Sequence, residues 1–400
     1  MSKQLKLRRG TTAQHSTFTG AEGEVTVDTT KDTLVVHDGT TAGGIPLATE
    51  ASVTSKQPLD AELTTLAGMS SSRATYLAST QGFGFRNRII NGDMRIDQRN
   101  AGASVAVVSG LAFPVDRNQV VVNAASGSTA QRSTQAPAGF TNSLVVTIGT
   151  GASPTASQQG RILQPIEGLN CSDLAWGTAS AAPVTISFWV RSSVTGTYAG
   201  GLYGGGAYIF TYAISAANTW EYKTVTIPGP TTGSWPTDNS ASINVNFDLG
   251  TGSNYQGTAG SWTTGALWST SSSVKLCATS GATFYITGVQ LEAGSVASPF
   301  ERRDYGRELM MCQRYYVGTQ FAGGFAGCYT TNGWITGAFS FPVQMRAVPT
   351  VTFTASAAGV VGTPSANGTT ATGCRATISA TGTVNANAYI DSFYSATAEL

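Results

Sequence analysis

Strict alternation of apolar and polar residues is the clearest pattern in this chain, and it predicts β-strands. In Val184-Thr185-Ile186-Ser187-Phe188-Trp189-Val190-Arg191, the residues Val184, Ile186, Phe188 and Val190 share one face, and Trp189 projects from the other. Ser242-Ile243-Asn244-Val245-Asn246-Phe247-Asp248-Leu249 repeats the pattern, with Asn244, Asn246 and Asp248 expected to face outward. Residues 88–96, 119–123, 144–148, 208–214, 221–227 and 283–291 predict further short strands between Gly-, Ser- and Pro-rich turns. Together they predict a β-sandwich or jelly roll over residues 86–303.

Residues 1–48 carry shorter strand-like runs: Gln4 to Arg8, Gly23 to Asp28, and Thr33 to His37 ending on the tight-turn signal Asp38-Gly39. A module this small buries too little apolar surface to fold alone, so it is expected to need an oligomeric partner or a neighbouring domain. In residues 49–85 the period changes. Leu59, Leu63 and Leu66 recur at helical steps, with Ala67 or Met69 next; Pro58 suits the first turn, Asp60 and Glu62 suit the N-terminal dipole, and Gly68 is a stop. The predicted element is a short helical linker. Its leucine stripe is expected either around a three-fold axis or docked on one neighbouring domain. After a helix over about residues 304–314, with Leu309, Cys312 and Tyr316 as its buried stripe, residues 315–400 predict a C-terminal β domain with strands near 334–341, 350–354, 375–379 and 388–396. The fold class is therefore all-β.

Composition narrows the function. Charged residues are only 11% of the 400, and the formal net charge is +1. Phosphate neutralisation needs clustered Lys and Arg, so nucleic-acid binding is not expected. No segment reaches the roughly twenty apolar residues of a membrane span, and the first ten residues lack a signal-peptide core, which predicts a soluble protein made in a cytoplasm. Cys171, Cys277, Cys312, Cys328 and Cys374 are odd in number and form no Cys-x-x-Cys pair. They read as free, mostly buried thiols; a Cys328–Cys374 disulfide is the alternative.

Candidate chemistry is sparse. The two histidines, His15 and His37, sit in no nucleophile motif; His15 reads as a surface residue and His37 as one turned out of its strand. No metal-ligand spacing and no cofactor motif stands out. A glycosidase needs only two carboxylates at a fixed separation, which no motif marks; Asp93, Asp116, Asp173, Asp248, Glu292 and Glu301, isolated in sequence, are the candidates, and Asp248 reads as a solvated residue. The run Gly200 to Gly206 lacks the Lys-Ser/Thr of a phosphate loop and reads as a flexible β connection. Sugars are held by aromatic faces with neutral amides and hydroxyls, and this composition supplies those. Trp189 in the sandwich and Tyr329, Trp334, Phe393 and Tyr394 in the C-terminal domain are the candidate receptor contacts; Leu59, Leu63 and Leu66 are the candidate trimer-interface residues.

Seven stretches carry family resemblances. Leu7-Arg8-Arg9-Gly10-Thr11-Thr12-Ala13-Gln14, Gly20-Ala21-Glu22-Gly23-Glu24 and Val36-His37-Asp38-Gly39-Thr40-Thr41 resemble the N-terminal domain of phage tail fibres and of the major tropism determinant family. That resemblance implies an intertwined trimeric β-prism. Ile89-Ile90-Asn91-Gly92-Asp93-Met94-Arg95 and Phe284 to Glu292 resemble the first and last strands of jelly-roll carbohydrate-binding modules. Such modules commonly hold a structural calcium, but here Arg95 and Gly288 stand at the acidic positions, so no calcium is expected. Residues 288–316 resemble a junction of phage and prophage tail proteins, and residues 345–352 a stretch found in fibre tips.

The resemblances imply a structural virion protein, not an enzyme: a homotrimeric tail fibre in the virion tail. Residues 1–48 are expected to hold tail or baseplate proteins, and the β domains to meet a host-surface polysaccharide or lipopolysaccharide. A decoration fibre of head, collar or tail and a polysaccharide-cleaving tailspike are the alternatives.

Overall fold

The computed structural model describes residues 6–47, 85–324, 334–354, 357–358, 364–379 and 389–400. The chain divides into two compact units, Met1–Ala74 and Thr75–Leu400. The candidate linker residues Leu59, Leu63 and Leu66 lie outside the described residues, as do Cys328 and Tyr329.

In the first unit, the strands Arg9–Gly10, Val25–Asp28, Thr33–Val36 and Ile45–Pro46 form one sheet in that order, parallel in the first pair and antiparallel thereafter. Asp38 closes the turn after the third strand by accepting from the amides of Thr40 at 2.9 Å and Thr41 at 2.6 Å, while Gly39 takes φ +77°. The Thr41 hydroxyl, which donates to Asp38 Oδ2 at 2.6 Å, together with those amides holds the Asp38 carboxyl well below the usual carboxylate range. A one-turn helix, Thr12–His15, is fixed by a capping box in which Thr11 and Gln14 exchange hydrogen bonds.

The second unit begins with the two-sheet jelly-roll sandwich that the alternation predicts. One sheet runs Trp262–Thr263, Ala207–Ile214, Gly196–Tyr203, Ala241–Asp248, Gly160–Glu167, Asn118–Val122 and Ala112–Val115. The other runs Glu221–Ile227, Val184–Ser192, Thr283–Ala293, Ser143–Thr147, Thr129–Ser133 and Val105–Ala106. Val184, Ile186, Phe188 and Val190 all face the core, against Tyr212, Phe247 and their neighbours.

Three local expectations are corrected. Asn246 and Asp248 are fully buried rather than outward, because residues C-terminal to the strand return over this face of the sheet: Trp268 packs there, and Ser269 and Ser273 donate to Asp248. Gly200 to Tyr203 belong to a strand, and only Gly204–Gly206 form a turn. Residues 88–96 are not a strand: Asn91 and Met94 both take φ +58°, and side chains replace a ladder as hydrogen-bond partners.

The helix Tyr305–Gln313 comes after the sandwich, with Asp304 as N-cap accepting from the Arg307 amide at 2.9 Å. Cys312 is buried with Ile90, Ile96 and Tyr315, and Leu309 packs at the edge of this cluster. Tyr315 takes the deep position expected for Tyr316, whose ring instead lies under the Arg99 guanidinium at 3.6 Å. The C-terminal region pairs Tyr316–Gly324, Tyr389–Thr397 and Thr350–Thr354 in one sheet, and Trp334–Ser340, Gly373–Ser379 and Ser365–Asn367 in another. Val317, Phe341, Met345, Phe353 and Tyr394 are among its core residues. Cys171, Cys277, Cys312 and Cys374 are buried free thiols, and burial pushes Cys277 up to about 11.

Candidate functional site

The N-terminal module is organised around two imidazoles and one hydroxyl. Among residues 6–47, Val35 is the one apolar side chain that is fully buried. His15 and His37 are buried beside it, which corrects the expectation that they are exposed. His15 Nδ1–H donates to the Thr11 carbonyl at 3.1 Å, so His15 Nε2 accepts from the Thr26 hydroxyl at 2.8 Å. Thr26 Oγ1 in turn accepts from His37 Nε2 at 2.9 Å, and His37 Nδ1 accepts from the Gly20 amide at 3.3 Å. A methyl group on Gly20 would stand 2.5 Å from His37 Cγ, so the close approach requires glycine. Leu34, Ile45 and Leu47 remain exposed. Arg8, Arg9, Gln14 and Phe18 help line a hollow of about 230 Å³.

The candidate carboxylates all have structural partners. Asp93 Oδ2 lies 2.5 Å from Arg95 Nε, so a guanidinium supplies the positive charge beside this buried carboxyl. Burial still raises the Asp93 pKa. Arg88 pairs with Asp173, and Arg303 pairs with Glu301 at 2.9 Å. Glu292 accepts from Ser298 and Gln290. Asp248 is enclosed by Ser269, Ser273 and Lys275, and burial raises its pKa. Asp116 accepts from Gln98 and pairs with Arg99 at 3.4 Å; burial pushes it up to about 6. Among the described residues, no group of three or more His, Cys, Asp or Glu side chains is placed to hold a metal ion.

The candidate aromatic contacts separate by strand geometry. Tyr394 and Phe393 are neighbours on Tyr389–Thr397 and so point to opposite faces. Tyr394 is buried against Phe339 at 4.5 Å, whereas Phe393 is 57% exposed. Trp334 opens its strand opposite Ser379. Trp189 is half-buried on the outer face of the sandwich, 5.4 Å from the exposed Tyr222. Beside it, Gly288 takes φ +61°, and a methyl group there would meet Phe140 at 2.7 Å and Trp189 at 3.2 Å. The Arg302 guanidinium covers Phe140 at 4.8 Å.

Residues 5–41 match the family model described as the major tropism determinant N-terminal domain. This module resembles a phage domain in sequence. The tail fiber receptor-binding protein of Bordetella phage BPP-1 is 69% identical over 48 residues, a stretch that spans 12% of this chain and 13% of that protein. Among solved structures, a putative sugar binding protein from Bacteroides thetaiotaomicron aligns with 52% of this chain and 99% of its own, at 12% identity and a TM-score of 0.32. The enzymatically active domain of bacteriophage CBA120 tailspike protein 4 aligns with 52% of this chain and 21% of its own, at 14% identity and a TM-score of 0.30. At such scores neither likeness says what this chain binds or cleaves.

One surface escapes the sequence reading. Tyr203 and Asn244, on neighbouring strands, line a cleft of about 430 Å³ with Gly204–Gly206. The glycine run beside a tyrosine was its one visible signal.

Proposed function

We propose that this chain is a structural tail-fibre protein of a bacteriophage that attaches the virion to its host through a surface polysaccharide or lipopolysaccharide. The observation that carries this reading is the 69% identity over 48 residues to a tail fiber receptor-binding protein. On this reading residues 1–48 fix the chain to the tail or baseplate, residues 49–85 form a helical linker, and the sandwich of 86–303 and the domain of 304–400 reach the host. The protein is made in the host cytoplasm, carried on the virion, and binds without cleaving.

A homotrimer fits the N-terminal module. With one fully buried apolar side chain and Leu34, Ile45 and Leu47 exposed, residues 6–47 lack the core a monomer of that size requires. Neighbouring copies would cover those side chains and the hollow beside Arg8. Phe393 and Trp189 are the proposed receptor contacts with described surroundings; Trp334 and Tyr329 extend the set, and Leu59, Leu63 and Leu66 are proposed at the three-fold axis.

The test is competition. Purified full-length chain, first shown to be trimeric by light scattering, is added to host cells before the phage. Reduced adsorption supports the reading; a monomer, or a trimer that leaves adsorption unchanged, overturns it in favour of a decoration role. Loss of polymer length in host polysaccharide incubated with the chain would instead support a tailspike.

A further inference from the structure

The cleft beside Tyr203 is built from backbone held against backbone. Gly204–Gly206 turn the chain between the strands Gly196–Tyr203 and Ala207–Ile214, and the loop of residues 231–240 lies directly against that turn. A methyl group on Gly233 would stand 2.2 Å from the Gly205 carbonyl oxygen, and one on Gly204 would stand 2.0 Å from that of Ser242. Only glycine permits such contacts. The loop is pinned from behind by Trp235, which meets Trp176 and Trp262 edge-on at 4.9 and 5.7 Å. Each indole N–H is satisfied by a backbone carbonyl: Trp235 by Thr232, Trp176 by Ala182, Trp262 by Pro228. These walls are fixed before any ligand arrives, which lowers the entropy cost of binding.

The lining is neutral. Tyr203 is oriented by Arg161, whose Nη1 donates to its hydroxyl at 3.2 Å and to Asn246 Oδ1 at 3.0 Å while the guanidinium lies 4.1 Å over Trp268. Asn244 Nδ2 donates to the Tyr203 carbonyl at 3.2 Å, leaving Oδ1 as an acceptor. The Ser234 and Thr264 hydroxyls line the same space and make no hydrogen bond to other described residues. The cleft thus offers one aromatic ring, an amide oxygen and two hydroxyls, and none of its lining side chains is charged. Its volume of about 430 Å³ lies within the roughly 300–1,000 Å³ of ligand clefts.

A sugar ring presents apolar C–H faces and a rim of neutral hydroxyls, which that lining complements; a carboxylated or phosphorylated sugar would find no cation on the lining, since Arg161 is buried and engaged by Tyr203, Asn246 and Trp268. We infer that this cleft binds a neutral saccharide of one or two units, with Tyr203, Asn244, Ser234 and Thr264 as its contacts. The inference rests on the host-attachment reading and gives it a site.

The experiment uses the full-length chain and two glycan sets, neutral hexose and N-acetylhexosamine oligosaccharides against uronic-acid and sialylated ones, by array and then calorimetry. Neutral glycans are expected to bind, and Ser234→Trp, which fills an exposed part of the cleft, and Asn244→Ala are each expected to weaken binding about tenfold or more. Leu111→Ala, at an exposed position outside the cleft lining, should leave that binding unchanged, and circular dichroism should confirm that every variant is folded. Binding by charged glycans alone, no binding by any glycan, or binding that survives Ser234→Trp overturns the site. Adsorption competition is run in parallel: wild-type chain that competes while neutral glycans fail sinks the cleft and leaves the fibre reading standing. Glycan binding without competition sinks the fibre reading and leaves the cleft.

Discussion

Arg314 grips Glu167 with both arms of its guanidinium, Nε at 3.2 Å from Oε1 and Nη2 at 3.0 Å from Oε2. Glu167 ends a sandwich strand and is 1% exposed, while Arg314 is the C-cap of the helix that leads to the C-terminal sheets. The pair ties the sandwich to that helix. Removing the arginine leaves a buried carboxylate uncompensated, so Arg314→Leu is expected to cost about 3 kcal/mol in urea unfolding. Glu167→Gln in the same chain should recover part of that loss, which a double-mutant cycle measures.

In the N-terminal module, Thr26→Val keeps the side-chain shape and removes the hydroxyl between the two imidazoles. Two buried ring nitrogens then lose their partner, at an expected cost of about 1–3 kcal/mol. Thr26→Ser should retain most of the stability, and thermal unfolding of the full-length chain compares the two.

Asp116 predicts a pH effect of definite sign. Its pKa rises from 3.8 to about 6 on folding because it is buried. Between those values the folded state holds a proton that the unfolded state has released, so this group's contribution falls as pH rises from about 4 to 6. The slope should reach at most about 1.4 kcal/mol per pH unit. Asp116→Asn should remove that component from unfolding curves taken across the interval.

Gly92 packs against the middle of the sandwich strand Thr283–Ala293. A methyl group there would lie 2.2 Å from the Val289 carbonyl oxygen, which accepts from Asn87 Nδ2 at 3.0 Å. Gly92→Ala is expected to destabilise the sandwich by about 1–3 kcal/mol, read by denaturant titration.

The adjacent aromatics of the last strand should behave oppositely. Tyr394→Ala empties a core position and is expected to cost about 3–5 kcal/mol. Phe393→Ala should change stability by about 0.5 kcal/mol or less while weakening adsorption competition, the result expected of a receptor contact. Competition unaffected by Phe393→Ala would remove that residue from the proposed set.

The sequence revealed elements that alternate or carry a cap. Glu221–Ile227 keeps its alternation from end to end, and Asp304 marked the start of the helix. It concealed one strand that is buried on both faces and has no alternation. All eight residues of Gly160–Glu167 are buried, so no alternation marks that strand. In Gly196–Tyr203 the glycines read as a loop, but Gly200 makes room for Phe210 and Gly201 for Trp268. Asp248 and the two histidines were misplaced for a related reason: their cover comes from distant chain, and a module poor in apolar residues fills its centre with imidazole. The cleft was hidden because the loops that line it are brought together by the fold, and nothing in a linear reading joins Asn244 to Gly205.

The contacts that close the sandwich also set when it can form. The Asn87 amide donates to Glu301 across 214 positions, and Asn91 reaches Glu308 across 217. A chain leaving the ribosome cannot make either bond until almost the whole sandwich has been synthesised. Until then Val184–Ser192 waits for Thr283–Ala293, its longest antiparallel neighbour, with an apolar face uncovered. Such long-range closure is slow and leaves strand edges open to other chains. For this protein the vulnerable interval is therefore the time between synthesis of the first strand and the last, when crowding by sister chains competes with correct pairing.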